Sequence, residues 1–248
     1  MARSRPNSPD LEAPDWESGS EDPRSDDADS DECDELPVLE ALVAAFGPNR
    51  SPPRQDRSRR RYLQILGAAS ERFAAEGYDA TTMDAIAIEA GTSIGSIYRF
   101  FPNKPAIFHA VASFALAQIR AAVVEAIAGA AQPDTCWHEL LDEVIDRLVL
   151  VHREDPAVRA MLANLQLYDE FAEQDQRLTA ELVSAAAELL ATRAPQLAAA
   201  QRTLVATMIV QTIAGILVLS QREPTPLAEG MTAQLKLMLR RYLEPWLG

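Results

Sequence analysis

Ser96, Tyr98 and Arg99 fall within one helical turn, and Lys104 follows after a stop at Pro102. Hydroxyl, phenol, guanidinium and ammonium groups at this density can bond phosphate oxygens and base edges, which is the chemistry of nucleic-acid contact. Thr82 and Ser93 each precede an apolar run, where the free N–H groups of a helix start suit phosphate. Ile94 has no polar atom; in a groove its natural partner is a thymine methyl.

Catalytic chemistry has less support. No GxSxG, GxxxxGK[ST] or HExxH pattern occurs. His138 and Asp142 share a helical side, as do Glu139 and Glu143, but a two-ligand pair fits a solvated surface better than a metal site. Asp169 and Glu170 lack a visible catalytic partner. No enzyme, metal or cofactor is expected.

The elements that would position the contact residues are short helices. Tyr62, Ile65, Leu66, Ala69 and Phe73 make one apolar stripe over 57–76, and Gly77 supplies a left-handed stop. Thr81 or Thr82 caps a helix near 82–90, with Thr81 and Asp84 at capping-box spacing. A third runs near 93–101. Ile97 and Phe101 share its inner side, aimed at Phe73, Ile86 and Ala87, while Gly95, Ser96, Tyr98 and Arg99 point away. Gly91 lets the two short helices cross steeply. Asn103 caps the next helix, which tolerates Pro105 in its first turn and runs to about 130.

Further helices read near 135–152, 156–170, 175–193, 200–221 and 226–247, punctuated by prolines. Strand and hairpin signals are nearly absent, so the chain is all-α. The formal charge of −14 is unevenly spread: residues 1–40 carry −11, 41–104 carry +3 and 105–248 carry −6. Acidity is therefore mainly a tail, and the one net-basic block holds the contact residues. Arg57, Arg59, Arg60 and Arg61 form either a phosphate-touching arm or a solvated charge run. Residues 1 to about 35 are too polar to offset ordering entropy. A short docking helix is expected at 36–47. The tail either competes with DNA for the basic block or simply solubilises the chain.

Cys33 and Cys136 have no CxxC spacing, which suggests a reducing compartment, and the N-terminus lacks an apolar signal core. Residues 203–221 are uncharged and near the length of a minimal span. Thr203, Thr207, Gln211 and Thr212 dilute that run, which favours a helix buried on several sides over a membrane anchor.

The segments "ILGAASERFAAEGYDATT", "IAIEAGTSIGSIYRFF" and "NKPAIF" together resemble the DNA-binding domain of the TetR family of bacterial transcription regulators, over residues 57–108. The resemblance implies a helix-turn-helix domain at 57–103 and a helical ligand-binding and dimerisation domain at 104–248, preceded by an acidic extension with a basic linker at 1–56. It implies a cytoplasmic, ligand-responsive regulator, a repressor, that binds a pseudo-palindromic DNA operator as a homodimer, away from any membrane. Thr82, Ser93, Ile94, Gly95, Ser96, Tyr98, Arg99 and Lys104 occupy positions that commonly face DNA in that family. Phe100 departs from it, standing where a His or Tyr often binds phosphate.

A small-molecule effector site is read from Met161, Leu165, Tyr168 and Phe171 at helical spacing, from Trp137 with His138, and from Met208, Gln211 and Thr212 as polarisable or polar groups inside an apolar helix. The same pattern fits an ordinary core. Ile209, Ile213, Ile216 and Leu217, with Leu235, Met238, Leu239 and Tyr242, suit a dimeric four-helix bundle. The rival readings are a membrane-anchored helical protein, and a small-molecule carrier or enzyme with a vestigial helix-turn-helix.

Overall fold

A computed structural model describes residues 56–129 and 136–248. The acidic tail, the expected docking helix at 36–47 and the prolines of the basic linker lie outside the described residues. Every regular element among those described is helical: α1 (Asp56–Glu76), α2 (Met83–Glu89), α3 (Ile94–Phe100), α4 (Lys104–Gly129), α5 (Trp137–Glu154), α6 (Pro156–Ala163), a 3₁₀ turn (Leu165–Glu170), α7 (Ala172–Arg193), α8 (Ala199–Ser220) and α9 (Thr225–Leu247).

Local chemistry sets the first boundaries. Gly77 ends α1 with φ +82°, and Gly91 turns between α2 and α3 with φ +57°, both conformations that side chains resist. Thr82 caps α2 by accepting from Ala85 N at 3.1 Å, and Ser93 caps α3 by accepting from Ser96 N at 3.2 Å. Thr81 turns inward instead, donating to Gly77 O at 2.8 Å while fully buried, so the Thr81–Asp84 capping box does not form. Asn103 Oδ1 accepts from Ala106 N at 2.9 Å and starts α4 as expected.

Two apolar clusters hold the chain. The first joins Ile65, Ala69 and Phe73 of α1 to Ile86, Ile97 and Phe101, and continues into Phe108 of α4, Val158 and Met161 of α6, and Phe171. The second joins Val123, Trp137, Leu141 and Ile145 to Leu190, Ile213, Leu217, Leu235 and Leu239.

Two expectations need correction. The helix expected over 156–170 breaks at Asn164, and the chain continues as a 3₁₀ turn with non-helical backbone at Leu167. Asn164 is buried and spends its amide on other backbone: Oδ1 accepts from Tyr78 N at 2.8 Å, and Nδ2 donates to Ala160 O at 2.7 Å and Phe73 O at 3.2 Å. Helix α8 is not buried on several sides. Val205, Ala206, Ile213 and Leu217 face inward, while Leu204 and Met208 lie about half exposed on the opposite side. By length and composition α8 and most of α4 could cross a membrane.

Candidate functional site

Helix α3 is seven residues long and cannot persist alone, since nucleation costs more than so few bonds return. Its inner side is fixed by Ile97, fully buried, and by Phe101 at its C-cap. Tyr62 packs on both Phe100 and Phe101, with ring centroids 6.1 and 5.1 Å apart. Burial pushes the Tyr62 phenol up to about 12, so it stays neutral within the packing. Phe100, on a face-edge position, is thus a packing residue.

The outer side then presents Ser93, Gly95, Tyr98 and Arg99 as exposed residues, with Ile94 and Ser96 half-buried between them. Tyr98 is 51% exposed although apolar in its ring. Thr82 is exposed at the start of α2. Arg61 Nη1 donates to Thr92 Oγ1 at 2.6 Å and braces the turn between α2 and α3. A rod of this width, backed by a packed face, matches a major groove about 12 Å wide.

Lys104 has a structural task that the sequence reading missed. Its ammonium donates to Tyr78 O at 2.8 Å, Thr81 O at 2.9 Å and Asp79 O at 3.4 Å, and lies 4.3 Å from the Tyr78 ring centroid. Three donors spent on carbonyls leave none directed at a phosphate. Lys104→Ala is therefore expected to lower stability by about 1–3 kcal/mol in thermal melts. The salt slope of DNA binding, followed by titration, should change by less than the full unit of a direct phosphate contact.

The second feature is a cavity of about 900 Å³ lined mainly by α4, α5, α7 and α8, with α6, the 3₁₀ turn and α9 completing it, and open to solvent where the exposed Ala180, Ala185, Gln211 and Leu219 line it. Trp137, Met161, Leu165, Tyr168 and Gln211 line it. Met208 and Thr212 do not: they sit on the sides of α8 turned from the cavity, Met208 being 48% exposed. The lining is mainly aliphatic, with polar groups at Tyr168, Asp175, Gln176 and Thr179 in and after the turn that follows α6, and others at His152, Arg193, Thr207 and Gln211. The Tyr168 hydroxyl donates to Asp175 Oδ2 at 2.9 Å, and burial pushes the phenol pKa up, helped by that bond. His138 and Asp142 make no joint site, because Asp142 pairs with Arg240 and lies near Lys236. Among the described residues no group of three or more His, Cys, Asp or Glu is arranged to hold a metal.

Two family models match in tandem. Residues 65–111 match one described as bacterial regulatory proteins of the tetR family, and residues 136–243 match one described as the tetracyclin repressor-like C-terminal domain. The chain belongs to the TetR family. Its fold agrees with a TetR-family transcriptional regulator from Streptomyces coelicolor (25% identity, TM-score 0.52, covering 75% of this chain and 99% of the other). It also agrees with a transcriptional regulator from Cytophaga hutchinsonii ATCC 33406 (18%, TM-score 0.59, 75% and 98%). An uncharacterized HTH-type transcriptional regulator, YhgD of Bacillus subtilis (strain 168), is 37% identical over 75 residues, 30% of this chain. That match spans 37% of the relative's length, so the likeness is confined to one part of it.

Within this TetR-family fold, His152 is the site residue that sequence reasoning left out. It is buried on the cavity wall, and its Nδ1 lies 2.7 Å from Leu148 O, which accepts its proton. Burial pulls its pKa below the usual histidine value, against a smaller opposing pull from that bond. A folded state that refuses a proton loses stability as pH falls below about 6.5, where the unfolded chain accepts one. Urea unfolding should record that loss, and His152→Gln should flatten it. In the sequence, the only signal was a histidine on the same helical side as Leu141, Ile145 and Leu148.

Proposed function

We propose that this chain is a cytoplasmic transcriptional regulator, without enzymatic activity, that represses by binding a pseudo-palindromic operator as a homodimer and releases it when a small molecule enters the cavity. The observation that carries the reading is α3: a buried inner edge at Ile97 and Phe101 backing an exposed outer edge at Tyr98 and Arg99. In this reading Thr82, Ser93 and Ser96 bond phosphates or base edges, Tyr98 and Arg99 reach into the groove, and Gly95 lets the backbone approach beside Ile94.

The bundle expected for the dimer supports the same reading once its seam is moved. Ile213, Leu217, Leu235 and Leu239 are buried within one protomer. The exposed apolar residues outside the cavity lining are Leu204 and Met208 on α8, with Leu227, Leu237 and Met238 on α9. A helix that has no charge after Arg202 and keeps so much apolar surface in water calls for a cover, and a second copy related by a two-fold axis supplies one. Met208→Glu should shift the protein toward monomer in sedimentation velocity and, by separating the reading helices, weaken operator binding at least tenfold.

Ligand response has a physical route in Asn164. It ends α6, whose Met161 and Leu162 line the cavity, and it grips Phe73 O and Tyr78 N at the base of α1. Tyr78 O in turn receives Lys104. A ligand that displaces α6 would tilt α1 and with it α3. It can shift DNA affinity only by its differential affinity for the two arrangements. Recovering DNA fragments bound to the protein from sheared genomic DNA, followed by footprinting, tests the reading. A two-fold-related pair of protected half-sites supports it, and retention of no fragment overturns it.

A further inference from the structure

The cavity runs lengthwise rather than being round. Trp137 and His152 both line it, from opposite ends of α5, fifteen residues apart. At 1.5 Å per residue that separation is about 22 Å. The neighbouring helices repeat the span: α4 contributes from Leu116 to Ile127, and α7 from Leu178 to Leu190. Leu116 and Leu178 belong to the apolar cluster beside Met161, whereas Val123 and Leu190 belong to the one beside Trp137. The three helices therefore wall one channel from end to end.

Its two ends differ. Toward the end where Val151 packs with Phe171 and Leu178, the lining includes His152, Tyr168, Asp175, Gln176 and Thr179. The bond from Nδ1 to Leu148 O fixes the imidazole tautomer, so Nε2 presents a lone pair. No hydrogen bond with a described residue occupies Nε2. A lone pair receives a hydroxyl or an amide N–H, and a carboxylate offers it nothing. The Asp175 carboxylate on the same rim disfavours an anion further. At the far end the lining around Trp137 is mainly aliphatic: the Trp137 indole N–H is buried in the wall without a partner, α8 adds Thr207 and Gln211, and Arg193 already has an interaction within the fold.

We propose that the cavity takes an unbranched, uncharged amphiphile: an extended hydrocarbon chain whose single hydroxyl donates to His152 Nε2 and whose tail lies along α5 to Trp137. A channel of about 22 Å accommodates roughly sixteen carbons at ~1.3 Å of advance per C–C bond. This rests on the effector-site reading above and names the chemistry of its ligand.

The test uses the full chain and displacement of a fluorescent apolar probe, with octanol, dodecanol, hexadecanol, hexadecane and hexadecanoate as competitors. Affinity for the alcohols is expected to rise about fourfold per added methylene up to hexadecanol. Hexadecanol should exceed both hexadecane and hexadecanoate by about tenfold. His152→Leu should remove the preference for alcohol over alkane while keeping chain-length dependence. Ala186→Phe, which plugs the channel part-way, should abolish hexadecanol binding and spare octanol. Tighter binding of hexadecanoate, or alcohol selectivity unchanged in His152→Leu, overturns the assignment while leaving an effector site in place. Failure of the probe and every competitor to bind overturns the effector site as well.

Discussion

Asn164→Asp is expected to lower stability by about 3–5 kcal/mol, the cost of leaving a buried charge without its partner. The substitution changes one atom in size terms, yet it replaces a donor by an oxygen that faces two carbonyls, Ala160 O at 2.7 Å and Phe73 O at 3.2 Å. A carboxylate there meets lone pairs on both sides with no water to screen them. It can relieve the clash by holding a proton, so its folded-state pKa stands above the unfolded value of about 3.9. The loss is then smallest in acid and grows as pH rises through the folded pKa. A melting temperature lower by roughly 10 °C near neutrality, recovering partly at low pH, is the expected result. Asn164→Leu keeps the volume but orphans Tyr78 N; it should cost about 1–3 kcal/mol with no added pH dependence. Melts of wild type and both variants that coincide at every pH would show that this side chain does not join α1 to α6.

Tyr98→Ala should do the opposite. Its ring is half exposed and packs into neither apolar cluster, so stability should stay within about 0.5 kcal/mol of wild type. Operator affinity should fall by about ten- to a hundredfold, the range of one good groove contact. Ile97→Ala provides the contrast. That residue is fully buried, and its truncation removes about 2–5 kcal/mol from the packing that holds α3, so folding and DNA binding fall together. A Tyr98→Ala protein that folds and retains full operator affinity would remove α3 from the interface.

What the sequence disclosed follows from locality. Caps and glycine turns are decided by a few adjacent residues, so Gly77, Gly91, Ser93 and Asn103 could be read directly. The inner side of α3 was equally legible, because a short helix must bury whatever apolar side it has. The break at Asn164 was not, since Met161, Leu165 and Tyr168 keep helical spacing across it. The groups that pull Asn164 out of the helix lie on α1 and just past its end, 86 to 91 residues earlier. Lys104 was misread for the same reason: its carbonyl partners are brought together only by the fold. The outer face of α8 exposes a further limit. An apolar helix reads the same whether its own chain or another copy covers it, so Met208 was assigned to an interior that it does not face. His152 and Tyr168 became part of one lining only when α5 and the turn after α6 were brought side by side.

The continuity of the first apolar cluster bears on any attempt to transplant the reading head. Cutting at the junction between Asn103 and Lys104 would strip Phe108 from Phe73 and Tyr78, whose rings it meets edge-on at 5.6 and 5.4 Å. It would also remove Val158, Met161 and Phe171 from beneath α1. The excised piece would keep its surface for DNA and lose the floor under it. A working chimera must therefore carry α6 and the start of α4 along with the first three helices, or repack their underside.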